Sequence, residues 1–137
     1  MVARVELKAK LRVLVVEDDV RIQKMLLAIL QSEQYDVETV SDGRAAMSSI
    51  HEERPDLVIL DLMLPGVDGW QMMAQLRSDA SLSGLPVLVL SAVHDLARES
   101  QRIGASDFLR KPFGVDVLLN KVERLTQGPQ AARAGLR

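Results

Sequence analysis

Three aliphatic runs constrain this chain most: RVLVV at 12–16, LVIL at 57–60 and PVLVL at 86–90. Each is short and nearly free of polar side chains, which suits a strand covered on both faces, as in a parallel sheet. DVETV at 36–40 and DFLR at 107–110 have strand character as well. Between the runs the period changes. Ile22, Met25, Leu26, Ile29 and Leu30 recur at helical spacing, and so do Val115, Leu118, Val122 and Leu125. Further helices are expected at about 43–52, 69–78 and 95–103. Asp19 is placed to cap the first helix and Gly104 to close the fourth. Five βα units predict a doubly wound α/β sandwich with a five-stranded parallel sheet and right-handed crossovers.

Composition removes several function classes. The 137 residues are enough for one domain with a real core. With 17 basic and 19 acidic residues there is no overall positive field to attract a polyphosphate. One Trp, one Tyr and two Phe leave little for base stacking, so direct nucleic-acid binding by this segment is not expected. The absence of cysteine excludes disulfides and thiolate metal sites and suits a reducing cytosol. The apolar run at 13–16 meets acids at once, unlike a signal peptide, and no stretch approaches the ~20 apolar residues of a membrane span. The chain reads as a soluble protein with no membrane partner.

In a doubly wound sheet, ligands bind beyond the carboxyl ends of the strands, where strand order reverses. The residues at those ends therefore carry the functional expectation. They are Glu17, Asp18 and Asp19 after the first strand, Asp61 after the third, Ser91 and Ala92 after the fourth, and Lys111 and Pro112 after the fifth. A carboxylate at the mouth of an apolar strand, as in LVILDLMLPGVDG at 57–69, is costly to desolvate and needs a cation or a reaction to hold it there. Taken singly, Asp18 and Asp19 suit a helix cap pair, Ser91 a turn and Lys111 a solvated charge. Together, on four strand ends, they predict one site. Crowded carboxylates call for a hard cation such as Mg²⁺, which keeps waters and leaves room for phosphate oxygens. Lys111 would serve an anion, or Asp61 itself, as a compact point charge.

LRVLVVEDD, LVILDLMLPGVDGW, PVLVLSA and ASDFLRKPF, in this order and at these separations, resemble the four signature segments of bacterial response-regulator receiver domains. The resemblance runs from about Leu11 to Leu125. It implies a flavodoxin-like (βα)5 three-layer sandwich with strand order 2-1-3-4-5. Asp61 then matches the phosphoacceptor. Glu17 and Asp18 match the acidic pair that, with Asp61 and the Met63 backbone carbonyl, holds Mg²⁺ or Mn²⁺, while Asp19 stays a cap. Ser91, Ala92 and Lys111 match the phosphoryl-binding positions, and Ser91 with Phe108 the switch pair. Met63 and Val93 match the positions that tune the decay of the phosphorylated form. The family also implies a cis Lys111–Pro112 bond and a cytoplasmic location. Its partners are a sensor histidine kinase or phosphotransfer protein, with a homodimer allowed through the surface of the fourth helix, fifth strand and fifth helix, and an output that the sequence does not name.

The departures are small. Ser91 stands where Thr is common and Phe108 where Tyr is common; the hydroxyl is kept at the first and lost at the second. His51, His94 and Trp70 are expected to be solvent-side or packing residues without a cofactor role, and the dispersed methionines to fill the core. Two rival functions fit the residues less well. A phosphohydrolase working through an aspartyl phosphate commonly has a second acid two residues after the nucleophile, where this chain has Met63. A pseudo-receiver that binds without accepting phosphate typically loses the acceptor, the acidic pair or the lysine, and all are present. Residues 1–10 are expected to be an N-terminal extension, 11–126 the receiver and 127–137 a tail or linker, either of a stand-alone receiver or of a longer regulator.

Overall fold

In the computed structural model, which describes residues 10–64, 66 and 68–135 with side chains as far as Gln127, the apolar runs form the centre of one sheet. The strands are β1 (Arg12–Val16), β2 (Asp36–Val40), β3 (Leu57–Asp61), β4 (Val87–Ser91) and β5 (Asp107–Arg110). They are all parallel, in the order β2-β1-β3-β4-β5. β3 and β4 are buried along their whole length, as continuous apolar runs require. The helices are α1 (Val20–Ser32), α2 (Gly43–Glu52), α3 (Gly69–Ser78), α4 (Leu96–Arg102) and α5 (Val115–Gly135).

Alternation along each strand divides the core into two layers. Leu14, Val16, Val58, Leu60, Val87 and Val89 pack against Ile50 of α2, Met72, Met73 and Leu76 of α3, and Leu96 of α4. Val13, Val15, Leu57, Ile59, Leu88 and Leu90 pack against Leu26 and Leu30 of α1 and Leu118 and Val122 of α5. The expected sandwich is thus the observed one. Asp19 caps α1 by accepting from the Arg21 and Ile22 N–H groups, and Gly104, at φ +80°, follows α4 in the left-handed conformation.

Several element boundaries differ from expectation. β3 and β4 extend one residue further, so Asp61 and Ser91 are themselves the last strand residues, with Asp61 in register with Leu90 and Ser91 with Arg110. Pro86 lacks an N–H and lies outside β4, although its carbonyl still accepts from Val58 N–H at 3.0 Å. α5 continues beyond Leu125 to Gly135, through the stretch read as a tail or linker. Gln130, Ala131, Ala132, Arg133 and Ala134 are strong helix formers, which favours helix past Pro129. Apart from Lys10, the expected N-terminal extension lies outside the described residues. Among the described residues no helix is long and apolar enough to cross a membrane.

Candidate phosphoacceptor site

β1 and β3 are neighbours, but the chain leaves β1 for one face of the sheet and β3 for the other, which opens a crevice above their carboxyl ends. Glu17, Asp18 and Asp61 meet there, each with a carboxylate oxygen within 4.8 Å of the others. Asp61 is 4% exposed and Glu17 fully buried, whereas Asp18 faces solvent. Lys111, just past β5, reaches across with its Nζ 2.7 Å from Glu17 Oε1 and 3.2 Å from Asp61 Oδ2. The Lys111–Pro112 peptide is cis, as the family resemblance implies. The Lys111 backbone N–H donates to the Ser91 carbonyl at 3.0 Å, which seats the loop after β5 against the end of β4.

The second oxygens of Asp61 and Glu17 are held by backbone donors. Asp61 Oδ1 accepts from Met63 N–H at 3.0 Å, and Glu17 Oε2 from Asp19 N–H at 3.1 Å. The turn after Asp61 is pressed onto the start of α3: Gly69 N–H donates to the Leu62 carbonyl at 3.0 Å, and a Cβ at Gly69 would come within 2.4 Å of Leu62 Cα. Gly66, at φ +69°, supplies the left-handed bend between them.

Burial pushes the Glu17 carboxyl up to about 7, with the neighbouring Asp61 adding to the rise and the Lys111 and Asp19 hydrogen bonds opposing it. Desolvation pulls Lys111 down, but its hydrogen bond to Glu17 and the charges of Asp61 and Glu17 outweigh it and hold the ammonium above its ordinary value. One ammonium therefore bonds two of the three clustered carboxyl groups, Glu17 and Asp61. A buried acid that resists ionisation, with only hard oxygen donors around it, fits a divalent cation of the Mg²⁺ type.

The family model described as the response regulator receiver domain matches residues 13–123. The chain belongs to the response-regulator receiver family. Over 116 residues, 81% of this chain, the receiver is 41% identical to the DNA-binding response regulator MtrA of Mycobacterium tuberculosis. That match covers 48% of MtrA, so the chain spans about half the length of the curated relatives it matches. A putative response regulator from Chloroflexus aurantiacus superimposes with a TM-score of 0.81 at 31% identity, covering 86% of this chain and 98% of that one. The receiver domain of a sensor histidine kinase from Pseudomonas aeruginosa, described with a magnesium ion coordinated in its active-site cleft, gives 0.80 at 29% identity, covering 88% and 100%.

The other residues singled out in the sequence lie at different depths. Ser91 is buried, and its Oγ accepts from Val93 N–H at 3.1 Å. Ala92 is exposed beside it, on a groove of about 380 Å³ shared with Ile22, Met25, Lys111, Pro112 and Phe113. Met63 is 59% exposed, and Val93 half-buried. Phe108 is half-buried against the α2, α3 and α4 layer, with the Lys121 ammonium 5.4 Å from its ring centroid. His94 is 97% exposed, with Nε2 4.0 Å from the Asp95 carboxylate, and His51 is exposed on α2. Trp70 packs on the core and donates to Glu99 Oε1 at 3.1 Å.

Two residues escaped the sequence argument. Arg110 Nη1 donates to the Val93 carbonyl at 3.0 Å, tying the end of β5 to the loop after β4. Gln23, on the first turn of α1, bonds the backbone behind the acidic pair. A polar residue next to the apolar stripe of α1 was the available signal for Gln23; its partners are backbone carbonyls, which carry no sequence signature.

Proposed function

We propose that this receiver accepts a phosphoryl group on Asp61 from a histidine kinase or phosphotransfer protein in the cytoplasm, in a reaction that depends on Mg²⁺ or Mn²⁺. The observation that carries this is the nearly buried Asp61 carboxylate at the end of the central strand β3, clustered with Glu17 and Asp18 and hydrogen-bonded to Lys111. Glu17, Asp18, Asp61 and the Met63 carbonyl would hold the cation. When bound, the cation supplies charge neutralisation for the phosphoryl oxygens.

An Asp61 oxygen attacks phosphorus in line; the O–P bond forms as the donor's N–P bond breaks, and the departing imidazole takes a proton. Catalysis here is mostly positioning and electrostatics. Met63 N–H orients one Asp61 oxygen, leaving the other beside the Lys111 ammonium. The acyl phosphate adds roughly −1.5 to −2 charges, by analogy with other phosphorylated side chains. Lys111 can transfer its bonds from Glu17 and Asp61 to a phosphoryl oxygen. The Ser91 hydroxyl hydrogen can donate to another, and Ala92 N–H lies next in the chain for a third. Movement of Ser91 changes the space beside Phe108, which couples the site to the surface of α4, β5 and α5, where an output domain, an effector or a second copy would be contacted. Asp107 joins β5 to α5 there by ion pairs to Lys121 and Arg124.

Incubation with acetyl phosphate and Mg²⁺ should add one phosphoryl group by intact mass, with no addition in EDTA and none for Asp61→Asn. A full phosphoryl adduct on Asp61→Asn would show that the nucleophile is another residue.

A further inference from the structure

The Glu17 backbone sits where β1 stops and the crevice begins. Its N–H donates to the Val40 carbonyl at 3.0 Å, so β1 and β2 are still tied together at this point. Its carbonyl takes its hydrogen bond from a side chain. Gln23 Nε2 lies 2.8 Å from the Glu17 carbonyl oxygen, 3.3 Å from the Val40 carbonyl oxygen and 3.3 Å from Ser41 Oγ. Both carbonyls can only accept, so chemistry requires the amide nitrogen to face them. Two N–H bonds serve three acceptors, with the shortest to Glu17.

Gln23 is itself fixed. It occupies the fourth position of α1, and its backbone N–H donates to the carbonyl of the cap residue Asp19 at 2.9 Å. The amide therefore links α1, the end of β1 and the start of the β2–α2 loop through one rigid arm. The direction of the Glu17 carbonyl defines the plane of the Glu17–Asp18 peptide, and that plane sets the directions in which both side chains leave the backbone. Glu17 goes to the buried pocket with Lys111, and Asp18 to the exposed side of the same cluster. Without the amide, the peptide plane is free to rotate and the buried carbonyl would lack this partner.

We infer that Gln23 is a positioning residue for the cation site: its carboxamide, by holding the Glu17 carbonyl, fixes the relative placement of the Glu17 and Asp18 carboxylates. This rests on the phosphoacceptor reading of the site. It differs from a purely stabilising role in what it predicts. Loss of a stabilising bond lowers the unfolding midpoint and leaves the folded protein's cation affinity unchanged, whereas loss of positioning weakens cation binding by the folded protein.

The test is Mg²⁺ titration by calorimetry of the full chain and two variants, with urea unfolding in parallel. Gln23→Met keeps the length of the arm and removes the donor; Gln23→Asn keeps the amide on an arm too short to reach. Each should raise the Mg²⁺ dissociation constant roughly tenfold while the protein stays folded, a size common for residues that orient metal ligands. Should Gln23→Met fail to fold, Gln23→Asn decides alone. A dissociation constant within twofold of the native value in the folded variants would overturn the inference, even if their urea midpoints drop. Failure of the native protein to bind Mg²⁺ would instead overturn the underlying reading of the site.

Discussion

The turn after Asp61 is built on a glycine with no room for a side chain. A Cβ at position 69 would lie 2.4 Å from Leu62 Cα and 2.8 Å from the Asp61 carbonyl oxygen, and neither backbone atom can move without moving the acceptor. Gly69→Ala is therefore expected to destabilise the fold by about 1–3 kcal/mol, as overpacking does, and to slow phosphorylation by acetyl phosphate in the fraction that remains folded. Unchanged urea midpoint and unchanged rate together would refute the close approach. Two other side chains bear on the lifetime of the product. Hydrolysis needs a water in line with phosphorus, and flanking polar groups can orient it. Met63 and Val93, at the flanking positions expected for a receiver, offer no good hydrogen-bonding atom for that purpose. Slow loss of the phosphoryl group is expected. Met63→Asn with Val93→Glu should speed that loss roughly tenfold or more, short of the ~10²–10⁴ of a fully positioned acid or base, and leave loading by acetyl phosphate little changed. The idea fails if native decay takes only seconds or the double variant decays no faster. His94, one place beyond Val93, is almost fully exposed, with Nε2 4.0 Å from the Asp95 carboxylate.

At the scale of elements, α4 is weakly anchored at its N-terminal end. It has seven residues, follows Asp95 at φ +57° and has no side-chain N-cap bond. Its tie to α3 is the bond from Trp70 Nε1 to Glu99, whose carboxylate also accepts from Arg102 at 2.8 Å. The Arg102 and Trp70 hydrogen bonds hold Glu99 below its ordinary value of 4.5. A depressed acid contributes stability that is present above its unfolded value and is lost as pH falls through the folded one. Emission of Trp70, the only tryptophan, should thus shift red as pH drops below 4.5, before global unfolding, and Glu99→Ala should show the shifted emission already at neutral pH. Emission that stays constant until the whole protein unfolds, or a variant that matches native at neutral pH, would show that the bond does not hold α4. Elements like these were legible in unequal measure. The strands could be read because burial on both faces leaves an uninterrupted aliphatic run, and the strand-end rule then collected Glu17, Asp18, Asp61, Ser91 and Lys111. The Trp70–Glu99 tie could not, because 29 residues separate partners that only the packing of α3 beside α4 brings together. Gln23 and Arg110 were hidden for a related reason: they bond backbone carbonyls placed by sheet register.

Across the whole molecule, charge and core are distributed in opposition. Two apolar layers stabilise the sheet from both sides, while the carboxyl edge of that sheet gathers the buried Glu17 and Asp61 beside the exposed Asp18, with the Lys111 ammonium against the two buried acids. Burial raises Glu17, so the metal-free protein bears an unfavourable term at this edge that a divalent cation would relieve. A ligand that binds the folded state alone stabilises it by about 2.7 kcal/mol when present at roughly a hundred times its dissociation constant. For a domain of this size such a change corresponds to a rise of roughly 10 °C in melting temperature. Mg²⁺ should produce that rise in the native protein. NaCl at matched ionic strength should not, because screening acts weakly on a buried cluster. Glu17→Gln should behave differently in both respects: the neutral amide removes the buried acid, so the metal-free variant loses little or no stability to crowding, and the Mg²⁺-induced rise shrinks to a small fraction of the native one. Differential scanning calorimetry of both proteins, with and without Mg²⁺, decides the matter. Equal shifts in native and variant, or a native shift reproduced by NaCl, would place the stabilising cation somewhere other than the crevice between β1 and β3.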